Sequence, residues 1–128
     1  MSYIRFQTGL RCRTTGRALG IFKAVGRLED ESAVQPWFEE PLRETLAWFN
    51  ENLAVPKHDS LDQRSLFWFD LRSSEILGHV WDLINWLRQH DVFVDSRKCD
   101  QPGKIVYQDD HQVAAIPNQR IYRVLKLR

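Results

Sequence analysis

Several features that would reveal a compartment or a chemistry are scarce in this 128-residue chain. It has two cysteines, Cys12 and Cys99, which are too few for the dense disulfide framework of a small secreted domain. No apolar run reaches the length of about 18 residues that a membrane-spanning helix requires. Arg5, Arg11 and Arg13 interrupt the apolar segment that a signal peptide needs. We therefore expect an intracellular, cytoplasmic protein. A Cys12–Cys99 disulfide stays an alternative, because two cysteines are enough for one bridge.

Recognisable motifs for metals, nucleotides and catalysis are also missing. The four histidines and two cysteines have no zinc-binding spacing. The segment Thr14-Thr15-Gly16 lacks the Gly-Lys-Ser/Thr ending of a Walker loop. The aromatic-glycine signature of an RNA-recognition sheet does not occur either. The sequence thus predicts no catalytic residue, no metal and no cofactor.

Acidic residues are absent from the first 28 positions, which carry six basic side chains. The next 23 positions carry seven carboxylates against the single Arg43, although the whole chain has a net charge of only +1. A field of one sign focuses oppositely charged partners, so this segregation predicts a binding protein and leaves the partner open. The six unopposed bases are Arg5, Arg11, Arg13, Arg17, Lys23 and Arg27.

Hydrophobic periodicity predicts three helices in the first two thirds of the chain. The first covers about 17–28, where Gly20 and Gly26 weaken the pattern enough to leave a strand as the alternative. The second covers about 36–53, and Pro41 predicts either a kink or a later start. The third follows a serine cap at position 73 or 74 and ends near position 90.

The strand pattern completes the predicted fold. The segment 66–69 is too short to decide, and the strands that alternation predicts cover 3–7, 92–94, 104–107, 113–116 and a last edge strand at 121–127. This order predicts a single α+β domain over residues 1–128. About three helices pack on one face of a mainly antiparallel sheet of four to five strands, formed by the N-terminal strand plus the C-terminal strands.

Short motifs along most of the chain carry a resemblance. They are Tyr3-Ile4-Arg5-Phe6, Trp48-Phe49-Asn50 with Leu53 and Pro56 after it, and Ile105-Val106-Tyr107 leading to Gln112-Val113-Ala114. Together they resemble a family of small uncharacterised bacterial proteins. The resemblance implies a bacterial cytoplasmic setting and a single domain, and it transfers no activity and no catalytic residue.

Two basic segments are candidates for binding an anion or a nucleic acid. Arg11, Arg13 and Arg17 surround two threonines just before the first predicted helix, where guanidinium groups and hydroxyls can bind phosphate. The C-terminal candidates are Arg123, Lys126 and Arg128. The alternative is that the N-terminal arginines pair with the acidic stretch 29–51 within the fold, where each surface pair contributes about 0–1 kcal/mol.

The aromatic content points to a protein interface. Five tryptophans exceed what a core of this size usually needs, so one or two are expected at an interface. Trp81 belongs to the apolar stripe of the third helix and is expected in the core. The interface candidates lie off the main apolar lines or near element ends, and they are Trp37, Trp48 and Trp86.

Three functional hypotheses follow. The leading one is a non-enzymatic interaction domain that binds another protein or itself, without a membrane partner. The second is a nucleic-acid or phosphate binder that uses the basic segments. The third is an enzyme of unrecognised class around Cys99 or the turn Asp109-Asp110-His111, although neighbouring residues on a strand point to opposite faces and cannot converge without help.

Overall fold

A computed structural model describes residues 2–56 and 61–125, which form four α-helices and a five-stranded antiparallel sheet. The strands are β1 (Tyr3–Thr8), β2 (Leu66–Asp70), β3 (Val94–Cys99), β4 (Lys104–Gln108) and β5 (Gln112–Ile116). The helices are α1 (Ile21–Asp30), α2 (Glu39–Asn52), α3 (Ser74–Gln89) and α4 (Gln119–Leu125), and a 3-10 turn at Pro36–Phe38 precedes α2. The predicted α+β class is confirmed.

The strand order in the sheet is β3-β1-β2-β5-β4. The N-terminal strand is therefore internal, and its Tyr3 lies opposite Asp70 of β2 in antiparallel register. Next along the sheet, Trp68 of β2 lies opposite Val113 of β5. The hairpin of β4 and β5 contains a register shift between Ile105 and Tyr107, which makes Val106 the extra residue of a β-bulge.

Backbone contacts divide the chain into two compact units. The first unit consists of Met1–Arg5, Leu53–Leu77 and Ser96–Arg128, and the second unit consists of Phe6–Asn52 and Gly78–Asp95. The single domain predicted over residues 1–128 stays a prediction.

The core of the first unit corrects the predicted secondary structure of the last element. Trp68, Tyr3 and Val113 pack with two residues of α4, Ile121 and Leu125. These two are four positions apart, which places them on one face of a helix. The predicted edge strand at 121–127 is therefore wrong up to residue 125, because Ile121 and Leu125 bury a helical face and not a strand face. The chain from 126 to 128 lies outside the described residues.

The second unit begins with a hairpin, and this explains the late start of α1. The Leu19 N–H donates to the Leu10 carbonyl, and the Cys12 N–H donates to the Arg17 carbonyl, each at 2.8 Å. Residues 10–19 are thus committed to a turn, and α1 begins at Ile21 and not near position 17. Its buried residues follow the predicted stripe, namely Ile21, Ala24, Val25 and Leu28.

The two longer helices begin where their local signals allow. Pro41 is the third residue of α2, inside the first turn, where no intrahelical N–H bond is lost. Helix α3 begins after Ser73, whose carbonyl accepts the Leu77 N–H. Among the described residues, no helix combines the length and the apolar character needed to cross a membrane.

The burial of the two tryptophans of α3 is the reverse of what their sequence pattern indicates. Trp81, expected in the core, is 41% exposed, whereas Trp86 is only 6% exposed. The fully buried stripe of α3 is centred on Val80, Leu83, Ile84 and Leu87. Trp81 lies at the margin of that stripe, where Phe6 covers it on one side with ring centroids 5.1 Å apart.

Candidate functional site

Helix α2 and the part of α3 from Gly78 onward lie side by side in the second unit and run in opposite directions. Phe38, just before α2, contacts His90, just after α3, with ring centroids 5.0 Å apart. Trp48 in the last part of α2 contacts His79 in the first part of α3. Between these two contacts the helices leave an open groove of about 300 Å³. We call it the α2–α3 groove, and its walls are Phe38, Pro41, Leu42, Thr45, Asp82, Leu83, Asn85, Trp86 and Gln89.

The helical repeat explains why these residues line one groove. On the α2 side they fall at positions 38, 41, 42 and 45, and most of those on the α3 side fall at 82, 85, 86 and 89. Both sets have the spacing of a single helix face. Leu42, Leu83 and Trp86 are buried and form an apolar floor, whereas the polar side chains at 45, 82, 85 and 89 form the rim. The groove therefore combines apolar surface with hydrogen-bonding edges.

An aromatic–histidine stack lies at each end of the groove. The rings of Trp48 and His79 are 3.5 Å apart and nearly parallel, at 17°. At the other end the His90 ring stacks on Trp86 at 4.2 Å. His90 Nδ1–H donates to the Trp86 carbonyl at 2.9 Å, and its Nε2 accepts the Gln35 N–H at 3.3 Å. These two bonds place the proton on Nδ1 and anchor the turn that precedes α2.

The charge around the groove is negative. Helix α2 carries four carboxylates and one arginine, and α3 carries two carboxylates and one arginine. Among residues 2–56 and 61–125, Asp82 is the charged residue that lines the groove itself, and no lysine or arginine of these segments lines it. The groove thus offers an apolar floor inside an acidic field, which favours cationic ligands.

The three predicted interface tryptophans all lie on this helix pair or beside it. Trp37 is 69% exposed and lies next to Phe38, with ring centroids 6.1 Å apart. Trp86 forms part of the groove wall, and its buried Nε1–H has no hydrogen-bond acceptor among the described residues. Trp48 is half-buried against His79. The structure brings these residues to one region, and their role in an interface stays a prediction.

The basic N-terminal residues form a second feature of the same unit. Arg13 makes an ion pair with Glu31 at 2.8 Å, between side chains that are 79% and 44% exposed. Arg27 of α1 donates to the Arg11 carbonyl at 2.9 Å. Within residues 2–56 and 61–125, Arg11 and Arg17 make no ion pair. The predicted pairing with the stretch 29–51 thus occurs at Arg13.

The C-terminal basic candidates are not brought together by the described structure. Arg123 lies on α4 and is exposed. Lys126 and Arg128 lie outside the described residues. Because the segment before them is helical, Arg123 belongs to a helix surface and not to the edge strand that the sequence predicted.

The turn Asp109-Asp110-His111 has a structural organisation. Asp109 Oδ1 accepts the N–H groups of His111 and Gln112, and Oδ2 accepts the Tyr107 hydroxyl at 2.7 Å. Burial alone would raise the pKa of Asp109, but these hydrogen bonds outweigh it and lower that pKa. The carboxylate is fully engaged in closing the hairpin, which leaves it no free oxygen for acid–base work.

One contact in this region escaped sequence reasoning. Ser73 Oγ lies 3.1 Å from His111 Nδ1 and 3.4 Å from the Asp110 carbonyl. A hydroxyl and an imidazole at this distance form half of a nucleophile–base arrangement. The described residues supply no third group hydrogen-bonded to His111 Nε2. The contact ties the turn before α3 to the β4–β5 hairpin, and no local pattern signals it because 38 positions separate the two residues.

Both cysteines are free thiols in different environments. The Thr15 hydroxyl, then the backbone of Thr15 and Thr14, hydrogen-bond to the Cys12 sulfur and lower the pKa of that thiol to about 7. Burial raises the pKa of the Cys99 thiol. Cys99 packs against the core of the first unit, so the enzyme hypothesis around it gains no activated nucleophile.

The comparisons with known proteins add no family. No protein-family model matches the chain, and no curated protein or solved structure matches it. The resemblance carried by the short motifs stays an expectation.

Proposed function

We propose that this protein is a non-enzymatic interaction domain whose α2–α3 groove binds a basic, amphipathic segment of another protein. The observation that carries the proposal is an apolar groove, open between two antiparallel helices, inside a field of carboxylates. A cytoplasmic setting belongs to the same proposal, since both cysteines are free thiols.

The shape of the groove favours a peptide segment. Its two walls are helix faces, and the stacks of Trp48 on His79 and of Trp86 on His90 mark its two ends. Such a trough fits a row of apolar side chains from an amphipathic helix, which is a recurring mode of peptide recognition. The exposed Trp37 beside Phe38 extends the apolar surface beyond the N-terminus of α2.

The charge of the groove selects the sign of the partner. Asp82 on the rim is exposed, and the carboxylates of α2 outnumber its single Arg43. Lysines or arginines beside the apolar row of a partner would be attracted by these carboxylates. Electrostatic complementarity of this kind raises association rates and excludes acidic segments.

The test uses two synthetic peptides with the same amphipathic pattern. One is built from leucine and lysine and the other from leucine and glutamate, and each carries fluorescein for anisotropy measurements. We expect the basic peptide to bind and the acidic peptide not to bind. The double variant Asp82→Lys/Asn85→Arg should weaken the binding of the basic peptide about tenfold or more, because it reverses the charge of the rim and fills the groove with longer side chains.

The control reverses a charge outside the groove. Glu29→Lys/Asp30→Asn on α1 makes the same change in charge at two exposed positions, and it should leave the affinity within about twofold of the parent. Equal losses for both variants, or equal binding of both peptides, would overturn the proposal. Light scattering gives a third outcome: a dimer that dissociates in the groove variant would show that a second copy occupies the groove.

A further inference from the structure

A basic surface of the second unit takes no part in the groove. It consists of the hairpin residues Arg11, Arg13 and Arg17 with Lys23 and Arg27 of α1, and we call it the basic hairpin surface. Arg27 Nη2 donates to the Arg11 carbonyl at 2.9 Å, which fastens the helix to the hairpin. Helix and hairpin therefore present their cations from one connected surface.

The hairpin has a defined backbone. Arg11 and Ala18 form an antiparallel bridge, and the Gly16 N–H donates to the Cys12 carbonyl at 2.8 Å. Gly16 has φ +72°, in the left-handed region that glycine adopts without strain. This geometry fixes the backbone that carries the arginines of the turn before any ligand arrives, which reduces the backbone entropy lost on binding.

Lys23 belongs to the same surface. After the hydrogen bonds from Thr15 and Thr14, its positive charge also acts on Cys12 and helps to lower the pKa of that thiol to about 7. The ammonium group therefore influences the turn electrostatically. Thr14 and Thr15 are both exposed there and add hydroxyl groups between the cations.

Little negative charge compensates this surface. Its one ion pair within the described residues joins Arg13 and Glu31, and both side chains are largely exposed. An exposed pair of this kind contributes little to stability, so a phosphate can replace Glu31 at small cost. Arg11 and Arg17 already lack a carboxylate partner among the described residues.

An uncovered aromatic ring accompanies the cations. Phe93 is 69% exposed, and its carbonyl accepts the Gly9 N–H at 2.8 Å, at the base of the hairpin. Its Cβ lies so close to Gly9 that a Cβ on that glycine would approach it to 3.4 Å. The ring-bearing residue is thus anchored two positions before Arg11, without burying its side chain.

We infer that the basic hairpin surface binds the phosphates of single-stranded nucleic acid, with Phe93 stacking on a base. Arginines and hydroxyls suit phosphate oxygens, and an exposed aromatic residue supplies the stacking that sequence-tolerant single-strand binders use. An acidic protein would use the cations and leave Phe93 without a role. This inference does not depend on the groove and stands if the peptide proposal fails.

The test measures the anisotropy of a fluorescein-labelled oligouridylate between about 50 and 200 mM salt, the range over which phosphate contacts change affinity strongly. Arg11→Gln/Arg17→Gln should weaken binding about tenfold or more at the lower salt. It should also reduce the slope of log affinity against log salt by about 1.4, for two lost phosphate contacts on a single strand. Phe93→Ala should weaken binding at least about fivefold and leave that slope unchanged.

The matched control is Arg43→Gln/Arg120→Gln, which removes two exposed arginines outside the basic hairpin surface. We expect it to retain the parent affinity within about twofold. A control that loses as much as the hairpin variant, or no binding at the lower salt, would overturn the inference. Equal binding of polyglutamate, with no effect of Phe93→Ala, would identify an acidic protein partner instead and equally overturn it.

Discussion

The indole of Trp48 and the imidazole of His79 stack face to face at 3.5 Å, and this contact joins α2 to α3 at one end of the groove. Phe49 adds an edge-on contact to both rings. The stack therefore helps to set the distance between α2 and α3, and the shape of the groove depends on that distance.

Loss of this stack should loosen the helix pair. His79→Ala is expected to lower the free energy of unfolding by about 0.5–1.5 kcal/mol, the range measured for aromatic pairs. Urea denaturation followed by tryptophan fluorescence measures the change. Glu75→Ala, at an exposed position of the same helix, should stay within about 0.5 kcal/mol of the parent. An equal effect of both variants would show that the stack contributes nothing of its own.

Trp86 and Trp37 should respond to truncation in opposite ways. Trp86 is 6% exposed, so Trp86→Ala should cost about 3–5 kcal/mol of folding free energy through the cavity it leaves. Trp37 is 69% exposed, so Trp37→Ala should leave stability within about 0.5 kcal/mol. In the peptide assay, Trp37→Ala should still weaken the binding of the leucine–lysine peptide. A destabilising Trp37→Ala would contradict the exposed position of its ring.

Cys12 should react faster than Cys99 with iodoacetamide at neutral pH. Its pKa of about 7 makes the thiolate abundant there, whereas burial raises the pKa of Cys99. Mass spectrometry of single-cysteine variants should give a rate midpoint near pH 7 for Cys12. Thr15→Val removes the main hydrogen bond and should move that midpoint toward the ordinary value of 9.0. An unchanged midpoint would assign the shift to another cause.

The hairpin carboxylate should make stability sensitive to acid. The pKa of Asp109 is lowered in the fold, so its contribution is present above the unfolded value and is lost as pH falls below about 3.8 through the folded value. Asp109→Asn should weaken stability near pH 7 by about 1–3 kcal/mol, because the Tyr107 hydroxyl, the His111 N–H and both the backbone and side-chain N–H groups of Gln112 lose a charged acceptor. It should also flatten the pH dependence below 3.8. Urea midpoints from pH 2 to 7 test this, and an Asp109→Asn curve parallel to the parent would contradict it.

Much of the fold was accessible from local pattern. The apolar spacing of α3 is strong over sixteen residues, and its predicted and observed bounds agree within one residue. The last element was misread because Ile121, Val124 and Leu125 are too few to separate a helical from a strand period. Packing of Ile121 and Leu125 around Trp68 settles the choice in favour of a helix.

The candidate sites were only partly accessible. The sequence placed Trp37, Trp48 and Trp86 among interface residues, but it could not distinguish the buried ring of Trp86 from the exposed ring of Trp37. The groove depends on how far apart two helices pack, and the Ser73–His111 contact joins positions 38 residues apart. Neither distance is encoded by a local period.

The sequence by itself determined the α+β class, the positions of the long helices and the separation of basic from acidic segments, because periodicity and charge are properties of neighbouring residues. Tertiary structure decided which aromatic rings are covered and that α2 and α3 leave an apolar trough between acidic helices. It also decided that most of the basic hairpin surface keeps no carboxylate partner among the described residues. These outcomes depend on the distances between elements, which follow from packing many side chains at once.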